Sequence, residues 1–273
     1  MGDGRDDNPG SPGMRKANSE ETGWTLGPKR ALPFLLALAG VVLLLGIAVE
    51  IAEIGFGHRS LYGLQSRLDL DGEATLGSYV SALMLLTAAG LLALIALRER
   101  RAGSGWALHW AALAAGFLWL SLDEAIALHE LMNRPIRELL DAPGFISAWT
   151  LGGAIIVLLV GIAYARFLLS LDRRHAVPFV IAGALYVGGA VGADSLAGEI
   201  ISSGLRESWL WSLELVVEET AEMGGVILFI HALLDYLGSR GSVLQLRFEA
   251  APYTEHAGRK GGPARSAQGP PAN

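Results

Sequence analysis

The sequence predicts an all-α integral membrane protein, a polytopic bundle of six transmembrane helices with both termini in the cytoplasm. Three observations support this fold class. Of the 273 residues, 52% are hydrophobic and only 18% are charged, whereas soluble domains carry roughly a quarter charged residues. The mean hydropathy is +0.41, and the apolar residues are gathered into blocks of about 20, the length that a helix needs to cross the hydrocarbon of a bilayer. The basic residues, finally, concentrate in alternate connections between these blocks.

The two ends of the chain lack such blocks. Residues 1–28 are rich in Gly, Asp, Asn, Ser and Pro and read as a disordered cytoplasmic tail. Residues 241–273 finish in a Gly/Pro/Ala-rich run and are predicted to be a second, largely disordered cytoplasmic tail. Residues 29–240 therefore form the transmembrane domain.

Six apolar stretches follow one another within this domain, and each is predicted to be one span. They lie at about residues 31–54, 75–97, 106–129, 148–171, 178–200 and 209–236. Six such stretches in series argue against buried helices of a soluble protein. The connections at 59–74 and 131–142 hold leucines at helical spacing, so they are either short amphipathic helices on the outer surface or ordered loops.

The orientation follows from lysine and arginine, which favour the cytoplasmic side of a membrane. Basic residues flank the first span, follow the last, and fill the connections between spans two and three and between spans four and five. These residues are Lys29, Arg30, Arg98, Arg100, Arg101, Arg173, Arg174, Arg240 and Arg247. The pattern predicts a multi-pass membrane protein whose four arginine- and lysine-rich segments face the cytoplasm, and whose partner is the lipid bilayer.

Acidic side chains interrupt four of the six spans. They are Glu50 and Glu53 in span one, Asp123, Glu124 and Glu130 in span three, Asp194 and Glu199 in span five, and Glu214, Glu218, Glu219 and Glu222 in span six. Spans one, three and five run outward with their acids near the end, and span six runs inward with its acids near the start. The carboxylates are therefore expected in one layer in the outer half of the membrane.

These carboxylates must avoid lipid, because one facing the hydrocarbon near mid-bilayer costs about 2.5–3.5 kcal/mol. We therefore expect spans one, three, five and six to surround an outward-open acidic pocket, with spans two and four outside it. Gly188, Gly189 and Gly192 of span five permit close helix approach or a hinge. Crowded carboxylates must be protonated, bind cations or open widely to water.

The leading interpretation is a divalent metal cation of unassigned identity, because oxygen ligands suit hard cations. The predicted ligands are Asp123, Glu130, Glu218 and Glu222, with Glu124, His129 and Glu214 as further candidates. The Glu-x-x-His spacing of di-iron bundles is missing, since Glu124 and His129 are five residues apart.

Three alternatives stay open. The acidic layer is also what a proton- or cation-coupled transporter needs. A metal-free enzyme would use Asp123 and Glu218 as acid and base, although no catalytic residue is assigned. A structural or partner-binding protein is the third alternative, with protein partners unassigned. The lack of cysteine excludes thiolate sites and disulfides, and a net charge of −6 gives no reason to expect nucleic acid.

Two segments carry a resemblance. LWLSLDEAIALHE (Leu118–Glu130) and VEETAEMGG (Val217–Gly225) resemble stretches of uncharacterised bacterial multi-pass membrane proteins. The resemblance implies a bacterial inner membrane and brings no activity, cofactor or catalytic residue.

Overall fold

The fold is known from a computed structural model, which describes the part of the chain that forms the helices. The described residues are 24–26, 28–56, 63, 65–70, 72, 74–128, 148–206, 208–240 and 244–246. Residues 25–244 form one compact helical unit. Two three-residue strands, β1 (Trp24–Leu26) and β2 (Leu244–Leu246), lie at its ends.

All six predicted spans coincide with helices over most of their length. The helices are α1 (Pro28–Phe56), α2 (Gln65–Leu68), α3 (Leu76–Arg101), α4 (Ala107–Ile126), α5 (Ala148–Ser170), α6 (Arg173–Val187), α7 (Asp194–Ser202) and α8 (Trp209–Ser239). A π-helical turn, Gly188–Ala193, joins α6 to α7, so predicted span five is one helical run with a change of winding inside it. The short helix α2 lies in the connection predicted to hold an amphipathic helix, whereas 131–142 lies outside the described residues.

Within the described residues, four helical segments are long and apolar enough to cross a membrane. They are Pro28–Ala52, Leu76–Arg101, Gly152–Ser170 and Arg173–Ser202. The chain is therefore a helical protein with four candidate spans. Helices α4 and α8 are not among them, and both carry carboxylates. The six-span topology and the cytoplasmic termini remain predictions.

Helix α3 begins at a well-formed cap. The Thr75 hydroxyl accepts a hydrogen bond from the Ser78 backbone N–H at 3.3 Å, and the Ser78 hydroxyl accepts one from the Thr75 N–H at 2.8 Å. This reciprocal capping box satisfies donors that the first helical turn leaves without partners. It fixes the start of the helix that forms the centre of the bundle.

Span two, which was predicted to lie outside the acidic pocket, forms the centre of the bundle. In α3, 61% of the most apolar window is buried, against 22% in α1 and 11% in α5. Helix α3 packs against α4 and α8, and small residues such as Ala82, Ala88 and Ala89 are buried along it. The buried Ser121 hydroxyl of α4 donates to the Ala82 carbonyl at 2.8 Å. Small side chains let helix backbones approach closely in a membrane, so a span without carboxylates can still be central.

Helix α5 has the outer position predicted for span four. It packs on α6 and the π-helical turn, and most of its side chains are exposed. Near its C-terminal end, Phe167 is buried against Trp106 and Trp110, with ring centroids 5.5 and 5.0 Å away. The Tyr164 hydroxyl donates to the His109 carbonyl at 2.9 Å. Aromatic packing therefore attaches this helix to α4.

Candidate functional site: carboxylates of α4 and α8 around Tyr186

The predicted site residues that the structure describes lie on two helices. Asp123 and Glu124 are half-buried in the last turn of α4, and Glu218 and Glu222 are half-buried along α8. Glu214, one turn earlier, is buried with 7% of its surface exposed. His129 and Glu130 lie outside the described residues, as do the side chains of Glu53 and Asp194.

Tyr186 of α6 connects the acids of these two helices. Its ring is partly buried against the hydrophobic core. Four carboxylates act electrostatically on its hydroxyl: Glu222 and Glu219 of α8, and Glu124 and Asp123 of α4. Acidic side chains from two helices that are distant in sequence therefore lie within electrostatic range of one tyrosine of a third helix. The four residues and Tyr186 are called the acidic pocket below.

The backbones of α6 and α8 cross closely, and this crossing brings Tyr186 and Glu222 to the same part of the bundle. A Cβ atom added to Gly225 would lie 2.7 Å from the Tyr186 nitrogen and 2.9 Å from the Ala182 carbonyl oxygen. One added to Gly189 would lie 2.7 Å from Glu222 Cγ and 2.9 Å from the Glu218 carbonyl oxygen. Each helix thus presents a glycine to the backbone of the other. The close helix approach predicted for the glycines of span five is confirmed at Gly189.

The π-helical turn lies directly at this crossing, because Gly189 is its second residue. A π-helical turn changes the winding of a helix and is frequent at functional sites. Glu199, downstream of the turn, is exposed rather than directed into the bundle. Span five therefore contributes a tyrosine to the acidic pocket, and its exposed Glu199 stays outside.

The acid of α1 has a different neighbour. The Ser212 hydroxyl of α8 donates to Glu50 Oε2 at 2.6 Å. This pair lies in an open groove of about 430 Å³ between α1 and α8, lined by Ile47, Glu50, Ile51, Trp209, Ser212, Leu213 and Val216. Ser212 lies seven residues before Glu219 and ten before Glu222 on α8, which at 1.5 Å per residue is about 10–15 Å along the helix. Glu50 therefore contacts an earlier part of α8 than the acidic pocket does, and it is not among the carboxylates that act on Tyr186.

The ligand set predicted for a metal ion is only partly described. Among the described residues, no three histidine, aspartate or glutamate side chains are close enough together to hold a metal ion. A divalent cation needs its oxygen ligands at about 2.0–2.6 Å from one point. Asp123, Glu218 and Glu222 do not form such a group by themselves. Since His129 and Glu130 lie outside the described part, the metal site stays a prediction.

Tyr186 was missed by sequence reasoning, which searched the spans for charged residues only. Its position offered one signal. Tyr186 lies three residues before Gly189 and close to one helical turn after Ala182, which places it on the small-residue face that contacts a neighbouring helix. A polar aromatic on such a face lies at a helix crossing rather than in lipid.

Comparison with known proteins identifies one family. The model of a family described as "Domain of unknown function (DUF8692)" matches residues 34–237, which include most of the helical unit. No curated protein and no solved structure matches the chain. The match agrees with the resemblance to uncharacterised proteins, while the bacterial inner membrane remains a prediction.

Proposed function

We propose that this chain, which belongs to the DUF8692 family of domains of unknown function, is an integral membrane protein that binds cations in its acidic pocket during proton- or cation-coupled transport. One observation carries the proposal. Tyr186 of α6 and Glu222 of α8 lie at the glycine crossing of span five with α8, and further carboxylates of α8 and α4 lie within electrostatic range of Tyr186. A membrane protein retains such residues inside its bundle at a considerable cost in free energy, so an intramembrane cluster of this kind is a functional site by default.

Cations are the ligands that the chemistry of the pocket favours. Several like charges close together raise each other's affinity for a proton or a metal ion, because the charged forms repel. A phenol donates one hydrogen bond and accepts others, so it can link a protonated carboxyl group to an ionised one. Protons, or cations that exchange with them, therefore fit this pocket.

Transport is favoured over a permanently bound metal by the shape of the helices. Transporters form their ion sites where a membrane helix is interrupted near mid-bilayer. The π-helical turn between α6 and α7 is a milder irregularity, a change of winding inside a continuous helical run, and Gly189 places it against Glu218 and Glu222. A site that must release its ion in each transport cycle also differs from a resident metal site, whose ligands form a complete coordination shell around the ion.

The proposal includes the finer topology. We place α4 and α8 across the membrane as the third and sixth spans, with both termini in the cytoplasm of the cell inner membrane. Helix α4 has 20 residues and α8 has 31, which at 1.5 Å per residue give lengths of about 30 and about 46 Å. Both helices are long enough to cross, and their carboxylates turn toward Tyr186.

Ion flux tests the proposal. Purified protein is reconstituted into proteoliposomes that contain pyranine, and proton entry is driven by a potassium diffusion potential. Asp123→Asn and Glu222→Gln each remove one charge with little change of shape. Each variant is expected to lower the flux at least about tenfold, since a lost charged hydrogen bond is worth about 1.5–3 kcal/mol.

Glu199→Gln is the matched control, because it removes an exposed carboxylate from the same outer level, and its flux is expected to equal that of the parent. Equal flux in all four proteins, or flux no greater than in empty vesicles, would contradict transport.

A resident metal site is the second candidate, because Glu218 and Glu222 lie one turn apart on α8 at the Gly189 crossing. Elemental analysis separates the two candidates. A divalent metal that purifies with the protein in stoichiometric amount and is lost on Glu222→Gln would support the metal site. Purified protein without such a metal would contradict it.

A further inference from the structure

A second polar cluster lies at the opposite end of α8 from the acidic pocket. We call this the arginine end: the C-terminal turns of α3 and α8 and the first turn of α6. Glu99 of α3 is buried there, with 8% of its surface exposed. The Tyr236 hydroxyl donates to Glu99 Oε1 at 3.3 Å, and Arg240 Nη1 lies 3.8 Å from the same oxygen. Arg98 also donates to the Arg240 carbonyl. These contacts join α3 to α8.

The first turn of α6 is attached to the same part of α8. His175 is buried, with Nε2 at 3.3 Å from the Ser239 hydroxyl and Nδ1 at 3.5 Å from Asp235 Oδ2. Its ring packs edge-on against Tyr236, with centroids 5.2 Å apart. The exposed Arg174 completes the cluster through a 3.0 Å ion pair with Asp235. Tyr236 therefore contacts partners on both α3 and α6.

Tightly packed apolar side chains separate this cluster from the acidic pocket. On α8 the residues from Met223 to Leu234 are mostly buried, and they span about 18 Å at 1.5 Å per residue. Trp110, Ile230 and Leu233 each have at most 1% of their surface exposed. Water and ions cannot pass such a layer while the helices hold this arrangement, because the protein interior is close-packed.

We propose that the cluster centred on Glu99 and Tyr236 is a gate that holds the arginine end closed. The inference rests on the proposed transport function, because a transporter must seal one side of its ion site while the other side is open. Glu99 and Tyr236 hold α3 to α8, and His175 holds α6 to the same turn. Opening requires these buried bonds to break together. A buried carboxylate that lost its donor would favour a state in which water reaches it.

The test measures exposure rather than transport. The chain has no cysteine, so a single Ala232→Cys reporter gives the only thiol. Ala232 is buried, with 4% of its surface exposed, and lies one turn before Tyr236 on the same face of α8. Its modification by an impermeant methanethiosulfonate reagent is timed in inside-out and right-side-out vesicles. A separate Ala102→Cys protein, with its thiol at the end of α3, identifies which preparation exposes the arginine end.

The expected result is a modification rate about tenfold higher when either change is added. Tyr236→Phe leaves the buried Glu99 without its phenol donor, and Glu99→Gln removes the charge that pairs with Arg240 across α3 and α8. Arg174→Gln is the matched control in the same cluster. Its ion pair is solvent-exposed and so contributes little, and the rate is expected to change less than about twofold. Unchanged melting temperatures show that each variant is folded. If Tyr236→Phe does not fold, the modification rate of Glu99→Gln tests the gate.

The gate is overturned if both Tyr236→Phe and Glu99→Gln leave the rate within twofold of the parent, or if Arg174→Gln raises it equally. These outcomes are independent of ion flux. Faster modification without any ion flux would support a gated cavity and contradict transport. Ion flux with an unchanged modification rate would support transport and contradict the gate.

Discussion

Tyr186 shows what a single polar side chain adds to a group of carboxylates. Carboxylates alone can only accept hydrogen bonds when ionised, whereas a phenol hydroxyl can donate as well. The position of Tyr186 follows from its neighbours, since Gly225 leaves room for its backbone against α8. This contact depends on two helices that are distant in sequence. A sequence pattern within one span therefore could not identify it as part of the site.

Replacing Tyr186 by phenylalanine tests the role of the hydroxyl alone. Tyr186→Phe keeps the ring that packs against the core and removes the group on which four carboxylates act. Proton flux in proteoliposomes is expected to fall about tenfold if the hydroxyl exchanges protons with these carboxylates, because a phenol can both donate and accept a hydrogen bond and a phenyl ring cannot. Tyr164→Phe is the control, since that hydroxyl donates to the His109 carbonyl of α4. Equal proton flux in Tyr186→Phe and Tyr164→Phe would contradict a role of the Tyr186 hydroxyl in the ion site.

At the scale of helices, the sequence predicted where each helix lies along the chain well, and which helices pack against each other poorly. Each apolar stretch became a helix, because a block of about 20 apolar residues in a membrane has no other stable conformation. The meeting of the acids of α4 and α8 in one cluster stays a prediction, although Asp123, Glu124 and Glu222 lie within electrostatic range of the same tyrosine. The central position of α3 was not predicted, because lipid and protein interior are both apolar and hydropathy does not report which one a span faces. The useful signal was the small residues of α3, among them Ala88 and Ala89.

The crossing of α6 with α8 gives a prediction about stability. A methyl group at Gly225 would lie within 3.0 Å of three backbone atoms of α6, so Gly225→Ala must push the helices apart. We expect it to lower the free energy of unfolding by about 1–3 kcal/mol, the usual cost of overpacking. Gly224→Ala is the matched control, because nothing lies within 4 Å of its added Cβ atom. Alanine is expected to stabilise the helix there by up to about 1 kcal/mol.

Unfolding in mixed micelles of increasing SDS content compares the two variants. Equal midpoints for Gly225→Ala and Gly224→Ala would contradict the backbone contact.

At the scale of the molecule, a topology with four spans and one with six spans differ in the side of the membrane on which two connections lie. If α4 and α8 cross, the connection after α3 and the connection after α7 lie on opposite sides of the membrane. If only the four apolar segments cross, the two connections lie on the same side. The number of spans therefore decides where Glu214, Glu218 and Glu222 lie relative to the bilayer.

Single cysteines distinguish the two topologies. Ala102→Cys marks the connection after α3 and Ser203→Cys the connection after α7, and both native residues are exposed. Because the parent chain has no cysteine, an impermeant maleimide applied to intact cells reports only the new thiol. We expect Ser203→Cys to react in intact cells and Ala102→Cys only after permeabilisation, as arginine-rich connections face the cytoplasm. Labelling of both from the same side would favour four spans.

The glycines where span five crosses α8 also limit which side chains these helices can carry there. Gly225 lies against the Tyr186 backbone and Gly189 against the Glu218 backbone, so a larger residue at either position would have to separate two closely packed helices. Glu222 lies three residues before Gly225, and Tyr236 lies eleven residues after it. The spacing of α8 from span five, set at one glycine, therefore bears on both polar clusters of the molecule.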